Sequence, residues 1–405
     1  MKPASAQQTP NATGRQIMTT PNELIVDSRH VDAVGNKLKQ LKVWLETTPP
    51  EIDETLHLAL IKDLVGIKEF AAHARRRYWS EISALERRSR RAFTDLDVLL
   101  YEVRNQLAEE NGAVPALGKN RDTLIGYPQH KGVGDPGIGS PVKRPVSLNP
   151  VAPGDRVLVG VVDTPLYRHP DFPPDQIDGD RYAAPDSKGI FTTWGAHATA
   201  VAGRIWQYAP DARIIVRAGL DDQTGEGTSW DTARQMGAFL GAGIRVLNLS
   251  FGTTTEDGEP PLAMRRAIDV LTAADPDLLI VAAAGNLGHL ARPPRQIWPA
   301  AMNGVIAVGA TGADFTMKER WVDVNAEGLE VDTFYLDKPV RLSDSSVVNL
   351  GGFASWSGTS FAAAAVSGKI AQRLQTNPNA TTAATLKELL EDRSEPLTLT
   401  YDFPL

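Results

Sequence analysis

The chain has no cysteine among its 405 residues. That excludes a disulfide framework, a thiolate nucleophile and a cysteine-held zinc site, and it makes a reducing compartment such as the cytoplasm the expected setting. Nor does any stretch approach the roughly 20 apolar residues of a membrane span. The opening MKPASAQQTPNATGRQIMTT lacks the apolar segment of a secretory signal. Neither a membrane partner nor export by the usual signal route is expected. A large excess of one charge is missing too, since 42 Lys and Arg face 49 Asp and Glu for a formal net charge of -7. Residues 1 to 155 hold 21 basic against 19 acidic side chains and residues 156 to 405 hold 21 against 30, so the acidity belongs to the second part. A surface of that sign repels nucleic acid, and no nucleic-acid partner is expected. What remains is ordinary globular composition, 42% hydrophobic, in a chain longer than one typical domain.

The character of the chain changes along its length. Residues 1–20 are polar and aperiodic and are expected to form a disordered leader. NELIV predicts a short strand, whereas VDAVGNKLKQLKVWLE (31–46) and EIDETLHLALIKDLVG (51–66) carry helical apolar spacing, as does a longer pattern over 67–110. Residues 21–110 therefore predict a small, mainly helical domain that regulates, assists folding or binds a protein partner. Within it, HARRRYWSEISALERRSRRAF holds two arginine clusters, but interspersed glutamates make this a solvated helix face. Residues 111–155 are rich in Gly, Pro and Lys, a linker composition. From 156 to 405, nearly continuous apolar runs (RVLVGVVDT, ARIIVRAG, IRVLNLSFG, DLLIVAAAGN, NGVIAVGAT) alternate with helical stretches. Strands apolar on both faces predict an α/β, doubly wound, mostly parallel sheet.

In such sheets ligands gather beyond the carboxyl ends of the strands. Three runs end there in polar groups: Asp163, then Ser250-Phe251-Gly252, then Gly285-Asn286. Two further segments start small-residue helices, WGAHATAVAG around His197 and SWSGTSFAAAAVSGKI around Ser360. Taken alone, Ser360 reads as a helix N-cap worth about 1 kcal/mol, and Asp163 as a turn aspartate.

Together these segments resemble the subtilisin-like serine peptidases over about Arg156 to Asn379. VVDT is similar to the aspartate motif, GAHATAVAG to the histidine motif, LNLSFG to the substrate-binding strand, AAAGN to the oxyanion asparagine motif and SGTSFAAAAVSG to the serine motif; PAAMNGVIAVGA resembles the strand that follows the asparagine. The resemblance implies a catalytic Asp163, His197 and Ser360, in the chain order Asp, His, Ser. It implies an oxyanion donor in Asn286, the backbone of Ser250, Phe251 and Gly252 with that of Gly225 and Gly227 as the edges that receive an extended substrate, and Ala283, Ala284 and Gly285 as walls of the pocket next to the scissile bond. Such small walls leave room for an apolar or sizeable side chain. Three positions depart from the family pattern: Pro165 where a Gly usually stands, Ala198 after the histidine, and Ala364 in place of a Pro after the serine.

The chemistry explains these residue types. A serine hydroxyl is a weak nucleophile near neutral pH, and an imidazole titrating near pH 6.5 is a matched base. An aspartate holds the imidazole tautomer, and an amide donor meets the developing oxyanion, where removal of the equivalent donor in subtilisin costs roughly 10²- to 10³-fold in kcat. His30, His57, His73, His130 and His289 have no motif around them; His169, in YRHPDF, is the fallback base. A serine endopeptidase made as a zymogen, acting on a peptide or protein substrate with no cofactor, is the leading expectation. Structural calcium, common in the family, uses scattered ligands that no motif here places. A catalytically silent peptide-binding module and a peptide maturase or macrocyclase are the alternatives.

Overall fold

The computed structural model describes residues 22–125 except Arg90, residues 141–143, 156–290, and 296–400 except Ser343 and Arg393. The expected leader, His130 and most of the 126–155 stretch lie outside the described residues.

The N-terminal unit runs β1 (Leu24–Asp27), α1 (Val31–Gln40), β2 (Glu51–Asp53), β3 (Leu58–Ile61), α2 (Ile67–Arg77), α3 (Trp79–Ser89), α4 (Asp95–Asn111) and β4 (Leu117–Lys119). Its helices surround one face of an antiparallel sheet ordered β2-β3-β1-β4. Residues 51–66 are therefore a hairpin and not the helix their spacing predicts. The cause is burial on both faces: Leu24, Val26, Ala59 and Ile61 pack on the unit's own helices, while Ile25, Leu56, Leu58 and Leu60 turn the other way into a second core. A strand apolar on both sides loses the alternation that identifies it. The long pattern over 67–110 breaks into three helices, the last begun by a capping box in which Asp97 N donates to Thr94 Oγ1 at 3.2 Å and Thr94 N to Asp97 Oδ2 at 2.8 Å. On the arginine-rich stretch Arg76, Arg87 and Arg88 are exposed, and Arg75 pairs with Glu86 at 3.2 Å.

Within the stretch expected as a linker, a further strand, β5 (Asp122–Leu124), follows β4 directly. The second unit then runs β6 (Leu158–Asp163), β7 (Ile177–Gly179), β8 (Phe191–Thr192), α5 (Trp194–Tyr208), β9 (Arg213–Ala218), β10 (Glu226–Thr228), α6 (Ser229–Gly237), β11 (Val246–Leu249), α7 (Leu262–Ala274), β12 (Leu279–Ala283), β13 (Val305–Ala310) and β14 (Val324–Ala326). After β15 (Val331–Phe334), β16 (Val340–Arg341), β17 (Val347–Val348) and β18 (Phe353–Trp356) come α8 (Thr359–Thr376), α9 (Thr382–Glu391) and β19 (Thr398–Leu399). The main sheet is ordered β19-β14-β13-β12-β11-β6-β9-β7, parallel except at β19. The apolar runs predicted as strands are its strands β6, β9, β11, β12 and β13. Alternate residues serve opposite layers: Val159, Val161, Val281 and Ala283 meet α5 and α8, whereas Val162, Leu247, Leu249, Ile280 and Ala282 meet α6 and α7.

Two helices rich in small residues cross close together beneath the site. A Cβ on Gly368 of α8 would lie 2.6 Å from the Ile205 carbonyl of α5, so only glycine permits that approach.

The N-terminal sheet docks on α6 and α7. Ile25, Leu56, Leu58 and Leu60 share one core with Trp230, Ala233 and Met236 of α6 and Leu262, Ala263 and Met264 of α7. Each such aliphatic side chain stabilises the contact by about 1.5–3 kcal/mol before ordering costs. Polar groups fix the register: Arg266 donates to Asp27 Oδ2 at 3.3 Å and to the Leu56 carbonyl at 3.2 Å, and Arg121 pairs with Glu256 and, at 2.6 Å, with Asp257. Hydrogen bonds from Arg29 hold the Asp27 carboxyl well below the usual carboxylate range despite its burial, with Arg266 adding to the effect.

At the far edge of the sheet, burial pushes Asp323 up to about 6, opposed only in part by the Ala307 N–H at 2.8 Å. With the folded value above the unfolded one, the neutral form is favoured by folding; the resulting stability is complete below the unfolded value and is lost as pH rises through about 6. Asp323→Asn, which keeps the acceptor without the charge, is expected to raise Tm at pH 8 by on the order of 2 °C and to leave it unchanged at pH 4. Thermal melts at the two pH values check this; an equal shift at both would show that the charge is not the cause.

Candidate active site

Strands β6 and β11 are neighbours, and the chain passes from β6 to the outer strand β7, back to β9 beside β6, and then to β11 on the other side of β6. That reversal of direction makes the carboxyl ends of β6, β11 and β12 a switch point, where an open α/β sheet leaves a crevice. Asp163 is the last residue of β6, Ser250 follows β11, and Asn286 follows β12 by three residues.

His197 lies in the first turn of α5, 2% exposed. Its Nδ1 donates to Asp163 Oδ1 at 2.7 Å. That carboxylate oxygen also accepts from Thr164 N at 2.7 Å, while Oδ2 is buried with no partner among the described residues. Thr164 Oγ1 in turn donates to the Trp194 carbonyl at 3.0 Å and accepts from Ala198 N at 3.3 Å, which ties the aspartate to the helix that carries the imidazole. Pro165 and Ala198, the departures from the family pattern, leave this pair closed. The imidazole packs edge-on against Trp356, ring centres 5.7 Å apart, and at a tilt against Phe361 at 5.8 Å, next to Ser360 in the chain.

Ser360 is the second residue of α8. It is not the N-cap, because Gly358 holds that position and no side chain caps the helix. Its hydroxyl donates to the Ser250 carbonyl at 3.2 Å, and Ser250 Oγ donates back to the Ser360 carbonyl at 3.0 Å. Asn248 Nδ2 donates to Ser250 Oγ at 2.9 Å and Ser367 Oγ to Asn248 Oδ1 at 3.1 Å, so a buried polar chain joins β11 to α8. Ser367 stands seven residues after Ser360, two helical turns along the same face.

The amide of Asn286 is oriented by one neighbour. Its Oδ1 accepts from both the N–H and the Oγ1 of Thr359, each at 3.0 Å, and Thr359 Oγ1 accepts from Gly285 N at 3.1 Å. With Oδ1 so occupied, Nδ2 is the free end, and Ser250, Phe251, Gly252, Ala283, Gly285, Asn286, Thr359 and Ser360 line one cleft. Ala284 does not line it; fully buried, it packs in the small core behind Leu287 and Ile297, which do line the cleft.

The two expected substrate edges already hold a strand of the same chain. Leu124 N donates to the Gly252 carbonyl at 3.0 Å and Gly252 N to the Leu124 carbonyl at 2.9 Å, while Ile125 N donates to the Gly225 carbonyl at 3.0 Å. On its other side β5 pairs antiparallel with β10, Thr123 opposite Gly227. A Cβ on Gly227 would lie 2.5 Å from the Gly219 carbonyl and 3.2 Å from Thr123 Oγ1, so only glycine fits between them. Asn120 anchors the strand's approach, accepting from Ser229 Oγ and Trp230 N at 3.0 Å each.

The structure thus brings Asp163, His197, Ser360 and Asn286 to one end of the sheet. It sets His169 apart: that ring sits among Phe172, Phe334 and Phe353, bonded to the Gly352 carbonyl at 3.0 Å and Asp171 N at 3.1 Å, as a structural residue. Thr164, Asn248, Thr359 and Ser367 lie inside the quoted motifs, and their supporting hydrogen bonds emerge only from the structure. Among the described residues no group of three or more His, Cys, Asp or Glu side chains is placed to hold a metal ion. No helix among them is long and apolar enough to cross a membrane.

Comparison with known proteins agrees with this geometry. Subtilisin Savinase of Lederbergia lenta is 28% identical over 254 residues, covering 59% of this chain and 84% of its own. An alkaline protease of Alkalihalobacillus alcalophilus is 28% identical over 254 residues, covering 59% of this chain and 60% of its own, so the chain spans less than two thirds of that relative's length. In fold, the keratinolytic enzyme fervidolysin of Fervidobacterium pennivorans matches with a TM-score of 0.57 at 20% identity, over 92% of this chain and 57% of its own, so the likeness reaches into the N-terminal unit. Residues 154–401 match the subtilase family, the S8 peptidases, and the chain belongs to that family.

Proposed function

We propose that this protein is a serine endopeptidase whose N-terminal unit blocks its own cleft. The observation that carries the first half is the buried 2.7 Å bond between His197 and Asp163, set against the helix start that presents Ser360. In the reaction Ser360 Oγ exchanges the Ser250 carbonyl for Nε2 of His197, loses its proton to that nitrogen and bonds to the substrate carbonyl carbon. Asp163 stabilises the imidazolium, and Asn286 Nδ2 with the Ser360 N–H receives the oxyanion. The imidazolium returns its proton to the leaving amine, and water then releases the acyl group by the same steps in reverse order.

The second half rests on β5. A strand added to both edges of the cleft occupies the place an extended substrate takes. The N-terminal unit is in this reading an intramolecular inhibitor, and the chain as made is a zymogen. A cytoplasmic setting belongs to the same proposal. A silent binding module would use the same cleft without chemistry, and labelling separates the two. A fluorophosphonate is expected to add one adduct to Ser360, read by intact mass and peptide mapping, slowly in the full chain and faster where β5 is displaced. Absence of an adduct in both would remove the peptidase reading.

A further inference from the structure

Small walls suggest a roomy pocket beside Ser360, yet one residue from a distant part of the chain stands between them. The segment after Asn286 returns to the cleft and pairs antiparallel with the strand that follows β11: Thr253 N donates to the Trp298 carbonyl at 2.8 Å and Trp298 N to the Thr253 carbonyl at 2.9 Å. In this register Ile297 stands opposite Thr254, and its side chain leans diagonally over Gly252. A Cβ built on Gly252 would lie 2.6 Å from Ile297 Cγ2, and one built on Gly285 would lie 3.1 Å from Ile297 Cγ1. One branched side chain therefore touches both glycine walls. It cannot swing away easily, because it is 4% exposed and packed in one core with Ala284, Leu287, Met317 and Val322. Its β-branch also restricts χ1.

We infer that Ile297 fills the side-chain pocket of this site, so that the peptidase cuts after residues with little or no side chain, glycine and alanine foremost. The inference rests on the peptidase reading and names its substrate class. With Leu124 opposite Gly252, a substrate strand in the same register brings its second residue beyond that point opposite Ser250, whose carbonyl holds Ser360 Oγ, so the residue before the cut meets the pocket that Ile297 occupies. Upstream of the cut the preference is aliphatic, because Ile125 packs into the same core as Leu220 and Trp230.

The test uses the full chain carrying Leu124→Pro, with peptide p-nitroanilides that differ only in Gly, Ala, Leu or Phe before the scissile bond. Expected is a kcat/KM for Ala at least about 100-fold above that for Phe, the discrimination a filled apolar pocket reaches. Ile297→Gly and Ile297→Ala are expected to narrow that ratio by about 10-fold or more, chiefly by raising the rate with Phe. A second readout needs neither hydrolysis nor an Ile297 variant: binding of peptides ending in Ala or Phe to the Ser360→Ala form of the Leu124→Pro chain, followed by fluorescence polarisation. Tighter binding of the Ala peptide supports the filled pocket even if no peptide is hydrolysed, a result that would remove only the peptidase reading. Equal binding, no binding, or a preference for Phe overturns the inference.

Discussion

Replacing Ser360 with alanine in the Leu124→Pro chain is expected to lower peptide hydrolysis on the order of 10⁶-fold, the scale such a loss reaches in subtilisin. No neighbour can take over. Thr359, the adjacent hydroxyl, is committed on both sides, donating to Asn286 Oδ1 at 3.0 Å and accepting from Gly285 N at 3.1 Å. Circular dichroism and the melting temperature should stay near those of the parent, since alanine is favoured in a helix and the lost bond to Ser250 is one of several joining β11 to α8. The measurement is kcat on one peptide substrate for both proteins. An unchanged rate in a folded Ser360→Ala chain would mean that the hydrolysis arises elsewhere.

Leu124→Pro by itself is expected to raise the turnover of added peptide by about 10- to 100-fold over the unaltered chain. Proline lacks the N–H that Leu124 donates to Gly252, leaving that carbonyl without its partner, and an orphaned buried acceptor costs about 1–3 kcal/mol. The residue before a proline is pushed toward extended geometry, which Thr123 already has within β5, so the substitution removes the bond without otherwise forbidding the strand. Initial rates on one peptide, with the fluorophosphonate labelling rate alongside, give the result. Equal rates in the two proteins would show that β5 does not gate the cleft.

The second unit was readable because its strands are buried on both faces and stop at chemistry. A run such as LVGVVD ends where the sheet ends, so Asp163 announces its own position, as does Asn286 after LIVAA. The same double burial misled the reading of residues 51–66, where Leu56, Leu58 and Leu60 face α6 and α7 while Ala59 and Ile61 face α1 and α4, and Leu56 and Leu60 imitate a helical step. Which partner covers the second face is a tertiary fact that no window of sequence contains. β5 carries no sequence signal for another reason: it is held largely by backbone hydrogen bonds, which any residue but proline can make, and it sits in a stretch of linker-like composition. Ile297 lies eleven positions beyond Asn286, and only the Thr253–Trp298 pairing shows that it enters the cleft.

The two faces of the N-terminal sheet also bear on how the cleft can be cleared. Ile25, Leu56, Leu58 and Leu60 have no polar side to show to water, and neither do Ala233, Met236 and Met264 opposite them. Lifting the whole unit away would bare two matching apolar patches, each an adhesive surface for other chains. Four residues held by ladder bonds on both sides and by the one buried side chain of Ile125 are a much smaller cooperative unit than a docked sheet, and small units of that kind open first. The fold therefore favours a hinge-like exit of residues 122–125, with the rest of the unit still in place and its oily face still covered.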